Sequence, residues 1–555
     1  MNIKTVSSLG VITALLAACG GGDVNISPST TDNSVDNSTT TTSGGPSSPC
    51  ASYVDGGGAT VTGIQEGNNC RYTEDFVSST NRLTVDLNIP DLPNNGAHIF
   101  EASLFVGETY NTDAALTSAG ITQGGDGPTL TIAPGATLAF ESSADFMVIN
   151  RGAQIMAVGT STAPITITSV SDVFGTVGPE DVSQWGGMVI NGFGVTNKCA
   201  YTGTVAGGDL ATTDCHVDSE GAAGVDESQY GGANNADSSG RLEYVIVKHT
   251  GAQVANGDEL NGITFSGVGS GTIVNNIEAY STFDDGIELF GGAVNINNYV
   301  AVYVRDDSID IDEGYSGTIT NALVIQSATD GNNCIESDGI GSFDDLMPAE
   351  IEAIINQGIN SRPTINNLTC VISPNGAATA THDPGAGWRF REGIFPTINN
   401  SMIIGSFAAN DTTSSSDNYC LRIDNRSRQA ALDGDLQLNN IIFACAEARN
   451  DDFGGGVTEV TFAQGVGNIF ATIPSGTAVN ATASADPALQ LLEGSIPIYS
   501  IDYDTAQVDG MAPAAGSDPD PRAFLGALSL GEADWTQPWA YGIRVGNRAQ
   551  PLWFE

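Results

Sequence analysis

The stretch "TIVNNIEAYSTFDDGIELFGGAVNINNYVAVYVRDDSIDIDEGYSGTITNA", Thr272 to Ala322, repeats itself. An apolar side chain leads into Asn-Asn at Asn276 and again at Asn298, and a degenerate copy ends at Asn321, so the steps are 22 and 23 residues. The same mark returns at Asn367, Asn400 and Asn440. Those later steps are longer because insertions intervene, among them "PAEIEAIINQ" from Pro348, which reads as a helix. Within each unit short pieces alternate apolar and polar residues, the pattern of half-buried strands. A fixed period of this size, with β-rich pieces in every unit, is what one coil of a stacked solenoid needs. Asn side chains stacked at a coil corner would hydrogen-bond from coil to coil as a ladder. The expectation is an all-β chain: a right-handed parallel β-helix with loop insertions and terminal caps.

The repeat aligns one strand per coil: "GITFS" from Gly262, "GIELF" from Gly286, "SIDID" from Ser308, "CIESD" from Cys334, "WRFRE" from Trp388 and "CLRID" from Cys420. Alternation turns Ile263 and Phe265, Ile287 and Leu289, Ile309 and Ile311, and Leu421 and Ile423 inward. The outward column then reads Thr264, Glu288, Asp310, Glu336, Arg389, Arg422, with Asp312, Asp338, Arg391 and Asp424 beside it. Residues 282–314 alone carry eight carboxylates against Arg305. Like charges one coil apart would cost on the order of 3 kcal/mol per neighbour at an effective dielectric of about 20. Three things would relieve this: solvent and salt, a bound cation, or the arginines lower in the column. Asp284, Asp285, Asp306, Asp307, Asp310 and Asp312 supply the hard oxygen ligands that calcium takes. The spacing is not that of an EF-hand loop, and a solvated acidic face stands as the plain alternative.

Charge narrows the partners. Sixty-five acids face 18 bases in 555 residues, a formal net charge of -47. Nucleic acid, or an anionic membrane met through a basic face, is excluded by that balance. Gly-rich pieces such as "GGDG" at 124–127 lack the Lys-Ser/Thr of a phosphate loop, so no nucleotide or redox cofactor is expected. Histidines are scattered and do not form a metal set. His382 sits beside Asp383 near Arg389, where a base is conceivable and a loop histidine without a role is the plainer reading.

The first residues read as a short secretory signal, residues 1–18, too short to span a bilayer. Leu16-Ala17-Ala18-Cys19 resembles a bacterial lipobox, which implies a lipid on the Cys19 thiol. Gly20 follows in place of the Asp that retains such lipoproteins at the inner membrane, so the resemblance implies an outer-membrane anchor with the domain exposed at the cell surface. Residues 19–48 read as the lipidated Cys and a Ser/Thr/Gly tether, 49–126 as an N-terminal cap region, 127–500 as the β-helix and 501–555 as a C-terminal cap. The other eight cysteines suggest disulfides in an exported chain, with sequential pairing expected: Cys50/Cys70, Cys199/Cys215, Cys334/Cys370 and Cys420/Cys445. The aromatics of "DWTQPWAY" and "LWFE" would either plug the open end of the core or stack on sugars or a partner.

Residues 127–530 resemble the pectate-lyase-like right-handed β-helices. More closely, "GRLEYVIVKHTGA", "STFDDGIELFGGAVN", "RDDSIDIDEGYSGTITN" and the C-terminal "RAFLGALSLGEADWTQPWAYG" resemble a group of bacterial surface lipoproteins without an assigned activity. The wider superfamily contains calcium-using polysaccharide lyases with an Arg or Lys base, and hydrolases with clustered Asp. By that resemblance Asp310, Asp312, Glu336 and Asp338 are candidate catalytic carboxylates, and Arg389 and Arg391 candidate partners of a sugar acid. The Gly-His-Gly of the hydrolases is missing, and Lys198 and Lys248 are the only lysines after Lys4. The leading expectation is therefore a non-catalytic surface module for binding or adhesion. It would engage a glycan or an outer-membrane receptor through Glu288, Asp310, Glu336, Arg389 and Arg422. The alternative is a cell-surface polysaccharide lyase or glycoside hydrolase acting on the same face.

Overall fold

The computed structural model describes residues 48–219, 228–253, 259–373, 375, 383–405, 419–444 and 453–470, with the shorter stretches 489–491, 499–502, 524–528 and 533–553. The expected signal and lipid-bearing Cys19 lie outside these residues, as do His382 and Cys445.

The chain winds as a right-handed parallel β-helix. One sheet has nine strands and runs from Leu104–Val106 through Met147–Ile149, Met188–Asn191, Ile263–Ser266, Ile287–Phe290, Ile309–Asp312, Asn333–Asp338 and Ala386–Arg391 to Leu421–Ile423. The longer sheet carries the second strand of each coil, among them Gly240–Lys248, Ile273–Tyr280, Asn295–Val302, Thr318–Ile325, Thr364–Val371, Thr397–Ile404 and Gln437–Ala444. Neighbouring coils pair in parallel, residue on residue. Ile263, Ile287, Ile309, Ile335, Trp388 and Leu421 stack in one fully buried column between the sheets.

The Asn repeat marks a bend inside the longer strands. Asn276, Asn298, Asn321, Asn367, Asn400 and Asn440 all have φ between 50° and 62°. Asn tolerates this left-handed region because its short amide hydrogen-bonds locally. The amides bond from coil to coil: Asn298 to Asn276 at 3.0 Å, Asn321 to Asn298 at 2.8 Å, Asn367 to Asn321 at 3.2 Å, and Asn440 to Asn400 at 3.2 Å. A second, parallel ladder links Asn297 to Asn275 at 3.1 Å, Asn399 to Asn366 at 2.8 Å and Asn439 to Asn399 at 3.0 Å. The insertion at Pro348–Gln357 is helical.

Parallel rungs begin earlier than the change of sequence texture at Gly127. Asn69–Tyr72 and Ala97–Phe100 already pair in the longer sheet. An aromatic stack holds this end: Tyr72 on Phe100 at 4.7 Å, Phe100 on Phe140 at 5.6 Å and Phe140 on Trp185 at 4.6 Å. Cys50–Cys70, Cys199–Cys215 and Cys334–Cys370 are bonded in sequential order.

The described C-terminal aromatics neither plug the core nor stand free; Phe554 lies outside the described residues. Residues 524–528 and 533–553 lie along the outer face of the longer sheet. There Trp539 and Leu525 pack with Ile246, Tyr280, Val300, Val302, Leu323 and Met402. That cover explains why "NYVAVYV" is apolar on both faces, since a strand buried on both sides loses its alternation.

Candidate functional site

The outward column of the nine-stranded sheet is one register position. Thr264 pairs with Glu288, Glu288 with Asp310, Asp310 with Glu336, Glu336 with Arg389, and Arg389 with Arg422. The structure divides this column into two chemically different halves.

The upper half is acidic and largely sequestered. Glu288 and Asp285 are each 6% exposed and Asp307 is 4% exposed, so this is not an openly solvated face. The turns before these strands form a ladder of their own. The Asn261 carboxamide oxygen accepts the Asp285 amide at 3.1 Å, Asp285 Oδ1 accepts the Asp307 amide at 3.0 Å, and Asp307 Oδ1 accepts the Asn333 amide at 2.7 Å. Each rung satisfies a backbone donor that burial would otherwise leave unpaired. At the first rung the acceptor is Asn261, so a neutral amide suffices there; the next two acceptors are carboxylates, and the Asn333 side chain accepts the Tyr419 hydroxyl instead.

Those carboxylates stand among others. Oxygen atoms of Asp284, Asp285 and Asp306 lie within 4.8 Å of one another, as do those of Asp285, Glu288 and Asp310. Burial first, and neighbouring acids second, push Asp285, Asp307, Asp310 and Asp312 well above the usual carboxylate range. Burial likewise raises Asp306 to about 6, against a hydrogen bond donated by Asn332. Arg305, the one cation in the sequence cluster, turns away: it pairs with Asp330 at 3.4 Å and donates to the Glu180 carbonyl at 2.9 Å. Among the described residues no Lys or Arg pairs with Asp285, Asp306, Asp307, Asp310 or Asp312. Four of the six sequence-predicted metal residues therefore converge, and Glu288 joins them. Asp285 and Asp307 each give one oxygen to a rung, but Asp307 falls outside both clusters, and Asp312 accepts the Glu313 amide at 2.5 Å.

The lower half is an ion-pair lattice. Arg389 binds Glu336 at 2.6 Å and Asp424 at 3.4 Å; Arg391 binds Glu336 at 3.0 Å and also Asp338; Arg422 binds Asp424 at 2.6 Å. Arg428, from the helix Asn425–Asp433, adds a contact to Asp424 at 3.4 Å. Burial opposes the charge on Arg389 and Arg391, yet the acids prevail and raise both. Burial lifts Asp338 despite its Arg391 bond, and lifts nearby Glu392 to about 7. The arginines that the sequence offered to a sugar acid are already held by the protein's own carboxylates. With side chains 22% and 26% exposed, Arg389 and Arg391 still present an edge to a ligand.

A second acidic set escaped sequence reasoning. Asp113, Asp214 and His216 meet although about a hundred residues separate the first from the others. Arg151 donates to His216 Nδ1 at 2.7 Å, which leaves the ring proton on Nε2, 3.1 Å from Asp113. The nitrogen facing the acids is thus a donor with no lone pair for a metal. Arg151 also lines two cavities of about 480 and 280 Å³ away from the acidic column, and is anchored by the carbonyls of Tyr110, Cys215 and Gly231.

A family model described as a pectate-lyase like beta helix domain matches residues 104–486. Among solved structures, the crystal structure of the Dettilon tailspike protein (gp208) aligns over 59% of this chain and 62% of that chain, at 10% sequence identity and a TM-score of 0.20. The chain thus spans a little under two thirds of that protein's length. No curated protein sequence matches.

Proposed function

The chain belongs to the family of pectate-lyase-like β-helix domains, and from that premise we propose a non-catalytic binding module displayed at the cell surface, steadied by calcium in its acidic column. The observation that carries this reading is the convergence of Asp285, Glu288 and Asp310, with Asp284 and Asp306 beside them, where no protein cation is paired to Asp285, Asp306 or Asp310 among the described residues. An all-oxygen donor set from adjacent coils suits a hard divalent ion. Asn261 at the equivalent rung argues in the same direction, because it accepts the next turn's amide without carrying a charge. Calcium would replace protons and mutual repulsion with coordination. The Arg–acid lattice below would then offer hydroxyl-binding edges to a glycan, or to an outer-membrane receptor. The lipid anchor at Cys19 would hold the module at the outer membrane.

Binding outranks cleavage because Arg389, Arg391 and Arg422 are tied into ion pairs, which removes the obvious base of a lyase. Glycan hydrolysis has one feature in its favour: burial pushes Asp306 up to about 6 and Glu392 up to about 7, a range suited to proton transfer. The test is calorimetric titration of the purified protein with calcium, followed by a panel of acidic and neutral glycans with and without the ion. Saturable heats with calcium, and glycan binding without new reducing ends or unsaturated products, are expected. Product formation on any glycan overturns the non-catalytic reading; an absence of calcium binding overturns the metal.

A further inference from the structure

The C-terminal segment that lies along the longer sheet covers a buried acid. Glu278 points out of the barrel from strand Ile273–Tyr280, between Ile246 and Val300 of the flanking strands, and is fully buried under residues 533–553. Its Oε2 accepts the backbone amide of Tyr541 at 2.8 Å, while its Oε1 takes part in no hydrogen bond among the described residues. The Tyr541 ring lies over the Lys248 ammonium, 4.1 Å from centroid to Nζ, and Lys248 in turn binds Asp172 at 2.8 Å. Beyond it, Gly526 donates to the Asn400 carbonyl at 2.8 Å, Ala527 to Thr369 Oγ1 at 2.8 Å, and Trp553 Nε1 to the Gln326 carbonyl at 2.9 Å. The close fit at Gly542 leaves no room for a side chain: an added Cβ would stand 2.4 Å from the Tyr280 ring. Two of the sequence motifs, "GRLEYVIVKHTGA" and "DWTQPWAYG", therefore meet each other rather than a ligand.

We infer that residues 533–553 form a proton-linked strap, which docks on the sheet when Glu278 is protonated and loosens when Glu278 ionises. The geometry supplies the coupling. An ionised carboxylate with one free oxygen, enclosed by Ile246, Val300 and the strap, is strongly disfavoured; a neutral carboxyl is tolerated. Once the strap lifts, Glu278 stands on an open sheet face, meets water and ionises at its ordinary value.

The charged and titratable groups facing it are few. Lys248 and Arg544 favour ionisation, but Lys248 is held by Asp172 and Arg544 by Asp534 at 2.8 Å. Tyr280 and Tyr541 are uncharged at neutral pH and add no cation. His249 packs edge-on against Tyr280 with Nε2 3.7 Å from Asp172. Burial outweighs the help from the Tyr541 amide, Lys248 and Arg544 and lifts Glu278 to about 8. The sign follows. Docking takes up one proton between the ordinary glutamate value and about 8, so within that window docking weakens roughly tenfold per pH unit, and above it the strap is at its loosest.

Amide hydrogen exchange on the full chain tests this, read as protection factors so that the intrinsic pH dependence of exchange is removed. Strap amides such as Ala540 and Tyr541 are expected to lose protection about tenfold per pH unit from 5 to 8 and then level off. Core amides of Ile263–Ser266 serve as the reference. In Glu278→Gln, which keeps His249 and every cation, the strap profile is expected to be flat and its protection at pH 8 higher than in the wild type. A flat wild-type profile overturns the inference, even if the variant fails to fold. A slope that persists in the Gln variant overturns it as well, and assigns the proton elsewhere, His249 first.

Discussion

Asp285 accepts the backbone amide of Asp307, one coil further along, at 3.0 Å. Both carboxylates are buried, and both belong to the same hydrogen-bonded turn ladder as neutral Asn261 and Asn333. Structure and charge are therefore separable at this position: Asn261 holds the same kind of turn without a titratable group, whereas Asp285 and Asp307 bring one.

Asp285→Asn keeps the acceptor and removes one charge. In EDTA the variant should melt higher than the wild type, by the equivalent of about 1 kcal/mol, and should gain less from added calcium. Asp285→Ala also removes the acceptor and should be destabilised by about 1–3 kcal/mol in EDTA. Differential scanning calorimetry of both variants, with and without calcium, checks the pair. Equal calcium gains in wild type and Asp285→Asn would count against metal at this site.

Acid should stabilise the metal-free protein over a defined window. Asp285, Asp307, Asp310 and Asp312 are raised by burial and by one another, and Asp306 is raised to about 6. For such groups the folded state holds protons that the unfolded chain has released. Stability is therefore greatest below the unfolded carboxylate value and falls as pH climbs toward the folded values. Thermal melts in EDTA should rise on going from pH 8 to pH 5, by up to about 1.4 kcal/mol per pH unit for each group titrating in that range. Saturating calcium should flatten or reverse the trend.

The lower lattice should behave as a coupled unit. Arg389→Ala leaves Glu336 and Asp424 short of a partner, and a loss of about 2 kcal/mol is expected from partly buried pairs of this kind. A double-mutant cycle of Arg391→Ala with Asp338→Ala should give a coupling of about 1 kcal/mol or more, since the two are bonded directly. Urea melts measure both. Additivity would mean that solvent already screens the pair.

The Asn bend makes two separable contributions. Asn298 donates its amide to Asn276, accepts that of Asn321, and sits at a φ of 62°. Asn298→Ala should cost about 2–3 kcal/mol, combining the lost rungs with backbone strain. Asn298→Gly relieves the strain and should recover about 1 kcal/mol. Identical losses in the two variants would show that the bend is not strained.

Coil register was legible because strand alternation and the Asn mark each repeat with the fold's own period. Thr264 through Arg422 fall in one column from the sequence pattern alone, even across the long insertions ahead of Trp388 and Cys420. What stayed hidden depends on local geometry or distant pairing. That Asp285 and Asp307 hold backbone amides requires knowing how a turn faces the next coil. That Arg389 and Arg391 are consumed by Glu336 and Asp338 requires side-chain reach, which register alone does not give. The coils at 69–106 are marked by an aromatic stack rather than by a repeat, so their sequence looks like a cap. Glu278 reads as an ordinary outward polar residue on its strand. Only the doubled apolar face of its neighbours, "NYVAVYV", hinted that something covers that side.

The C-terminal cover also bears on the mechanics of the turns beneath it. A solenoid held only by contacts between successive turns frays from its ends, one unit at a time, and a pull on either terminus unzips it gradually. Here Gly526 is tied to Asn400, Ala527 to Thr369, Tyr541 to Glu278 and Trp553 to Gln326, so residues 524–528 and the strap together rivet several turns along their flank. Turns clamped side by side must yield together, and an object built from weakly coupled repeats gains the all-or-none resistance to force of a compact one.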